Sequence, residues 1–266
     1  MDDLNITQLV RIAQKTQSKD DITQSGFKIV AQNWLKYCDE LFERRKNLKN
    51  RRQLNSIKEF AEEFINVFFN GYKNRPSKKI GKHSGTKSDE LINEIIKIDI
   101  ENVYHANAPQ QELPQIDEKV KLVKTLHRYS MSVENIIGAI LEEYIHTKVL
   151  KYGWAICWGS CIRAVDLCNK DGIFFQIKNK SNTENSASSG VRAATNLPYE
   201  VTPWKRLNAK TGKERWDDLK KLLDLPKTCI LSKEDFFSFA KELVNQRGFE
   251  NRLFVENIDA LLELQL

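Results

Sequence analysis

The apolar positions along this 266-residue chain change rhythm near its middle. In the first half they recur at helical spacing. Ile29, Val30, Trp34, Cys38, Leu41 and Phe42 form one stripe, which predicts a helix from Gly26 to Lys49. Ser56-Ile57-Lys58-Glu59 has the pattern of a capping box. The helix it opens carries Phe60, Phe64, Val67 and Phe68 on one side, and Gly71 and Pro76 are expected to end it. Residues 74–89 break the pattern. Lys78, Lys79, Lys82 and Lys87 stand there among Pro, Gly and Ser with almost nothing to bury, which reads as a mobile basic loop. Leu91 to Ile100 is a short apolar element, and residues 107–114, with two prolines, read as a connection.

In the second half, Ser132 starts a helix with Ile136, Ile137, Ile140, Leu141, Tyr144 and Ile145 on its buried side, and Gly153 stops it. Three apolar runs follow, predicted as strands: Trp154 to Trp158, Cys161 to Leu167 and Ile173 to Asn179. Asn169-Lys170-Asp171-Gly172 joins the last two as a hairpin turn, because Asp-Gly suits positive backbone angles. Trp216 to Leu225 and Ser232 to Val244 are helical, the second capped by Ser232 with Asp235 at its third position. A helix, strands and later helices argue for an α/β core. Its expected limits are residues 121–266, preceded by a mainly helical region over 1–120. No internal repeat is visible.

Composition narrows the function. With 41% apolar residues the chain can bury a real core, and no apolar run approaches a membrane span, so no membrane part is expected. The acidic start, Met1-Asp2-Asp3-Leu4, lacks a signal core, which argues against secretion. Five cysteines without a paired framework read as reduced thiols, pointing to the cytoplasm. The net charge of +6 mildly favours a polyanionic partner. No glycine loop of the Walker type is present, and Cys157, Cys161 and Cys168 lack zinc-site spacing. His83, His105, His127 and His146 do not cluster. His146-Thr147-Lys148 opens a phospholipase-D-type nuclease motif, but Gly153 stands where its acid belongs.

The candidate chemistry lies between residues 138 and 192. Gly138-x-x-x-Glu142 is on a helix, Asp166 closes a strand, and Gln176-x-Lys178 is on the next strand with both side chains on one face. An acid, a metal-ligating oxygen and a lysine at a sheet edge are what Mg²⁺-dependent phosphodiester cleavage needs. Asp166 supplies the strongest ligand. Gln176 offers an amide oxygen and Ile177 a backbone carbonyl, and Glu142 or Glu143 adds a second carboxylate. Lys178 can orient or deprotonate the water. Each residue alone also reads as an ordinary strand end or exposed helix position; their order is what carries the assignment.

Residues 179–192 are too polar for a core. Asn and Arg side chains pair with adenine and guanine edges, while Ser and Thr reach phosphates or bases. Asn179, Lys180, Asn182, Glu184, Asn185, Ser186, Ser188, Ser189 and Arg192 are therefore the expected DNA contacts. Glu184 can accept from a cytosine amino group or touch the metal. Trp204-Lys205-Arg206, with Lys210, Lys213 and Arg215, is a second basic segment, either a phosphate clamp through Lys205 and Arg206 or a solvated charge run. Arg44 to Arg52 can bind DNA backbone, or can reflect the preference of helix ends for basic residues.

Over residues 133–180 this order resembles the PD-(D/E)XK nuclease superfamily. Gln176-Ile177-Lys178-Asn179, followed by Asn182 through Ser189 and Val191-Arg192, looks like type II restriction endonucleases of the SinI type over about residues 160–206. Val165 stands where a proline precedes the acid in the family pattern, and Gln176 replaces the first acid of Asp/Glu-x-Lys. The resemblance implies a mixed central sheet flanked by helices, with Mg²⁺ as cofactor. It implies a homodimer cutting double-stranded DNA at a short palindrome, of the GGWCC kind, beside a companion methyltransferase that is not a stable subunit. Residues 1–120 would then serve as a DNA clamp or dimer interface. The alternatives are a structure-selective repair or recombination nuclease, and a non-catalytic DNA-binding protein with a degenerate site.

Overall fold

The computed structural model describes residues 4–46, 53–78, 116–180, 197–208 and 211–251, without the side chains at 116, 125–135, 180 and 244–251. The expected elements at 79–114 and the polar tract at 181–192 lie outside these residues. Residues 1–79 and 138–244 cluster as one compact unit, and residues 80–137 with 245–266 as a second.

Five helices open the chain: α1 (Ile6–Ala13), α2 (Lys19–Gln24), α3 (Phe27–Lys36), α4 (Cys38–Lys46) and α5 (Ile57–Lys73). The sequence reading placed one helix across α3 and α4. The structure corrects it, because the chain turns at Tyr37 (φ −117°, ψ 13°). The break lets two aromatic anchors reach different partners. Trp34 stacks on Phe64 at 4.6 Å, while Tyr37 packs against Tyr199 at 5.1 Å. At the head of α5, the Ser56 hydroxyl accepts the Glu59 N–H as expected. Gly71 does not end that helix, which runs on to Lys73.

A long helix, α6 (Ile116–Val149), starts sixteen residues before the predicted Ser132. It closes in a 3₁₀ turn at Leu150–Tyr152, and Gly153 takes the left-handed conformation (φ 84°) that stops it. The sheet then forms from β1 (Trp154–Ile156), β2 (Leu167–Asn169), β3 (Phe174–Lys180) and β4 (Val201–Leu207), in the order β1-β2-β3-β4. The first three are antiparallel neighbours, and β4 lies parallel to β3 with Gln176 opposite Pro203 and Lys178 opposite Lys205. The β2–β3 hairpin is the predicted one. Gly172 has φ 86°, and the Asn169 Oδ1 accepts the Asp171 and Ile173 N–H groups, both at 3.0 Å. Two helices complete the unit, α7 (Trp216–Leu222) and α8 (Lys233–Asn251), the latter capped by Ser232 on the Asp235 N–H.

Helices cover both faces of this mixed sheet. On one, Trp154 and Phe175 pack together, the Trp154 indole donates to the Leu223 carbonyl, and Trp204 meets Trp216 beside Tyr144 and Phe236. On the other, Phe174 lies against Tyr37 and Tyr199, and the Asn33 amide donates to the Asn169 carbonyl at 2.7 Å. Among the described residues no helix is long and apolar enough to cross a membrane. All five cysteines are free thiols.

The predicted strand Cys161–Leu167 is not a strand. Gly159, Ser160 and Ala164 have φ of 69°, 57° and 63°, so the chain from Trp158 to Asp166 is a doubled turn. Its shape is set by α5: a Cβ on Gly71 would fall 2.2 Å from the Gly159 nitrogen, so only two facing glycines allow this approach. His146 is buried nearby, its Nε2 donating to the Gln24 carbonyl at 2.8 Å. Burial holds its pKa down at about 4, so it is a neutral core histidine.

Candidate active site

The doubled turn delivers Asp166 to the mouth of the hairpin. Its backbone completes the ladder on both sides, the N–H donating to Phe175 and the carbonyl accepting from Cys157, each at 2.9 Å. The carboxylate Oδ2 then accepts the Ile177 N–H at 2.7 Å, fixing it against β3. Asp166 therefore precedes β2 rather than closing a strand, yet it meets Gln176-x-Lys178 as the sequence pattern requires.

Burial raises the pKa of Asp166 to about 6, against the lowering effects of the Ile177 N–H and the Lys178 charge. Glu142, on α6, is raised further, to about 8, by burial and then by the negative charge of Asp166. Two desolvated carboxylates thus face each other with a lysine beside them. Glu143 does not compete for this role. It is 3% exposed and bound to Arg75 at 3.1 Å and to both the N–H and hydroxyl of Ser77. With Glu143 so anchored, its neighbour Glu142 is the acid that feels the Asp166 charge. Nothing in the local sequence marks Arg75 and Ser77 for this task.

The donor set suits a hard divalent cation. Asp166 and Glu142 carboxylates, the Gln176 amide and the Ile177 carbonyl are all oxygens, and the repulsion between the acids is what a cation would relieve. Among the described residues no group of three or more His, Cys, Asp or Glu converges, so the protein offers two acids and neutral oxygens.

Of the expected DNA contacts, Asn182, Glu184, Asn185, Ser186, Ser188, Ser189 and Arg192 lie outside the described residues, as does the side chain of Lys180. Lys205 is half-buried and in register with Lys178. Arg206 does not project outward as the basic segment suggested. It is 6% exposed, donates to the Asn179 side chain at 2.8 Å, pairs with Glu214 and lies over the Phe236 ring. Strand alternation explains this correction: Trp204 and Arg206 share the core face, leaving Lys205 on the other. Asn179 is occupied by the same bond.

In the cation-free protein the carboxylate pair makes stability depend on pH. Both folded-state pKa values are raised, so the contribution is present below the unfolded values near 4 and is lost as pH climbs through about 6 and 8. With EDTA present, Glu142→Gln is expected to melt higher than the parent at pH 8–9, by on the order of a few kcal/mol, and to match it near pH 4. Parallel melting curves of the two proteins between these limits would show that the two carboxylates are not coupled.

A hairpin thus carries an acid, an amide and a lysine, and a helix brings a second acid to it. The particular family follows from comparison. The chain belongs to the SinI restriction endonuclease family, whose model matches residues 12–246, a span that contains Glu142, Asp166, Gln176 and Lys178. It is 35% identical over 129 residues to the type II restriction enzyme Eco47I of Escherichia coli, covering 47% of this chain and 53% of that protein. It is 30% identical over 166 residues to the type II restriction enzyme SinI of Salmonella infantis, covering 60% and 64%. The matches therefore span between about half and two thirds of these relatives' lengths.

Proposed function

We propose that this protein is a Mg²⁺-dependent type II restriction endonuclease with a PD-(D/E)XK-like core. The observation that carries the reading is the Glu142–Asp166 carboxylate pair set against Lys178 on β3, in a chain of this family. Asp166 and Glu142, with the Gln176 amide and the Ile177 carbonyl, would hold the cation. When bound, it supplies charge neutralisation at the phosphate and a more acidic water.

The chain's own residues do the rest. The Ile177 N–H holds the Asp166 carboxylate in place. Lys178 orients the attacking water, whose proton passes to solvent. The water oxygen adds to phosphorus, the bond to one deoxyribose oxygen breaks, and that oxygen leaves with a proton from solvent. Asn182, Glu184, Asn185, Ser186, Ser188, Ser189 and Arg192 follow directly after β3 and would read bases and phosphates beside the cut. Lys180 and Lys205 would add phosphate contacts. A short palindrome is most simply cut by a homodimer with one site per strand, so a dimer acting on double-stranded DNA in the cytoplasm, beside a companion methyltransferase, is the biological setting. Residues 1–120 belong to that proposal as a clamp or dimer interface. A GGWCC-like target is the specificity to try first.

The test is digestion of unmethylated bacteriophage DNA with Mg²⁺, followed by sequencing of the ends. Discrete fragments sharing one short palindrome are expected. A random smear, cutting confined to branched DNA, or tight binding without any cutting would overturn the reading.

A further inference from the structure

The basic run at the end of α4 divides when its partners are traced. Arg45 makes a two-bonded pair with Glu63, both contacts at 3.1 Å, and Lys46 pairs with Glu43 at 2.8 Å. Arg44 makes no ion pair or hydrogen bond among the described residues. Leu41 and Arg44 stand at i and i+3 on α4, and the Leu41 N–H donates to the Tyr37 carbonyl at the head of that helix. Tyr37, at the turn into α4, packs on Tyr199.

Tyr199 is also the anchor of the doubled turn: its hydroxyl donates to the Arg163 carbonyl at 3.1 Å. Arg163 stands at the tip of that turn. Its flanks, Ile162 and Val165, are each 1% exposed, and the Val165 N–H closes back on the Ile162 carbonyl at 3.2 Å. The Arg163 side chain itself is exposed, three residues before Asp166, and pairs with no acid among the described residues. Burial pushes the Tyr199 hydroxyl pKa up, while the charges of Arg163 and Arg44 both pull it down, which agrees with two guanidinium groups near one ring.

We propose that Arg163 and Arg44, converging at Tyr199 from the catalytic turn and from α4, clamp phosphates of the DNA backbone beside the cut. The inference rests on the nuclease reading above. Guanidinium groups suit this role because they grip phosphate oxygens two at a time and stay charged at any working pH. The turn is rigid on both flanks, so Arg163 is presented at a fixed distance from Asp166. A phosphate seated there sets the register of the strand over the carboxylates without reading its sequence.

The experiment is anisotropy titration of a fluorescein-labelled duplex in EDTA across a range of KCl concentrations. Each phosphate contact contributes about 0.9 to the slope of log K against log salt. Arg163→Ala and Arg44→Ala are each expected to reduce the slope by about one, and the double variant by about two. The loss is the same for duplexes of any sequence, and Arg163→Lys keeps the slope. In cleavage assays KM rises while kcat holds. If Arg44→Ala lowers the melting temperature, Arg163→Ala, an exposed position, carries the test alone. An unchanged slope in a protein that binds DNA overturns the clamp. A wild-type protein that binds no DNA at all overturns the nuclease reading itself.

Discussion

Replacing Lys178 by alanine is expected to slow DNA cleavage by about 10²- to 10⁴-fold, with duplex binding in EDTA retained. The expectation comes from where Lys178 sits. It shares a strand face with Gln176, and its charge acts directly on Asp166. Loss of the lysine removes the group proposed to orient the water and also one of the two influences that lower the Asp166 pKa. The residual activity should therefore shift to higher pH, because Asp166 holds its proton longer. Asp166→Asn should be at least as damaging, since it removes the carboxylate proposed to hold the cation and keeps the shape. Single-turnover cleavage of both variants, alongside melting curves, checks this. Activity within a few-fold of the parent in a folded Lys178→Ala protein would mean that another group serves the water.

Gly71→Ala is expected to destabilise the protein by about 3 kcal/mol or more, lowering its melting temperature by roughly 6–12 °C. Alanine usually favours a helix by about 1 kcal/mol over glycine, so the sign reverses the ordinary rule. The added Cβ would lie 2.2 Å from the Gly159 nitrogen, 2.6 Å from its Cα and 2.7 Å from the Trp158 carbonyl carbon. All three are backbone atoms, so the turn must move, and that turn carries Asp166. Cleavage should fall together with stability. Gly138→Ala is the matched control. It is also helical, but its Cβ meets nothing within 4 Å, so a gain of up to about 1 kcal/mol is expected. Calorimetry on the pair decides: equal effects would show that the two backbones do not approach as described.

Local chemistry determines which parts of this fold can be read from sequence. The Asn169–Gly172 turn, the stop at Gly153 and the strand through Gln176-x-Lys178 follow from turn residues and short-range alternation, and all three stand. The Asn5/Gln8 capping box ahead of α1 was an equally local signal and was overlooked. What sequence reasoning missed depends on distant partners. The bend at Tyr37 serves contacts with Phe64, Phe174 and Tyr199 far along the chain. The turn before Asp166 has strand-like apolar residues but is held by a glycine pair 88 positions apart, Gly71 and Gly159. Arg206 looks like surface charge until β4 places it between Asn179 and Glu214. Within the candidate site, the Asp166 and Gln176-x-Lys178 pattern can be read from sequence, whereas the Arg75 and Ser77 contacts that occupy Glu143 cannot.

Glu142 and Asp166 are proposed to form one divalent-cation site. The measurement that tests it most directly is calorimetric titration of Mn²⁺ into the wild-type protein, Glu142→Gln and Asp166→Asn at pH 8. Binding is expected in the wild type and is lost or greatly weakened in each variant, with proton release as the cation displaces the proton that Glu142 partly retains at this pH. Equal Mn²⁺ binding by all three proteins would contradict it and place the cation elsewhere.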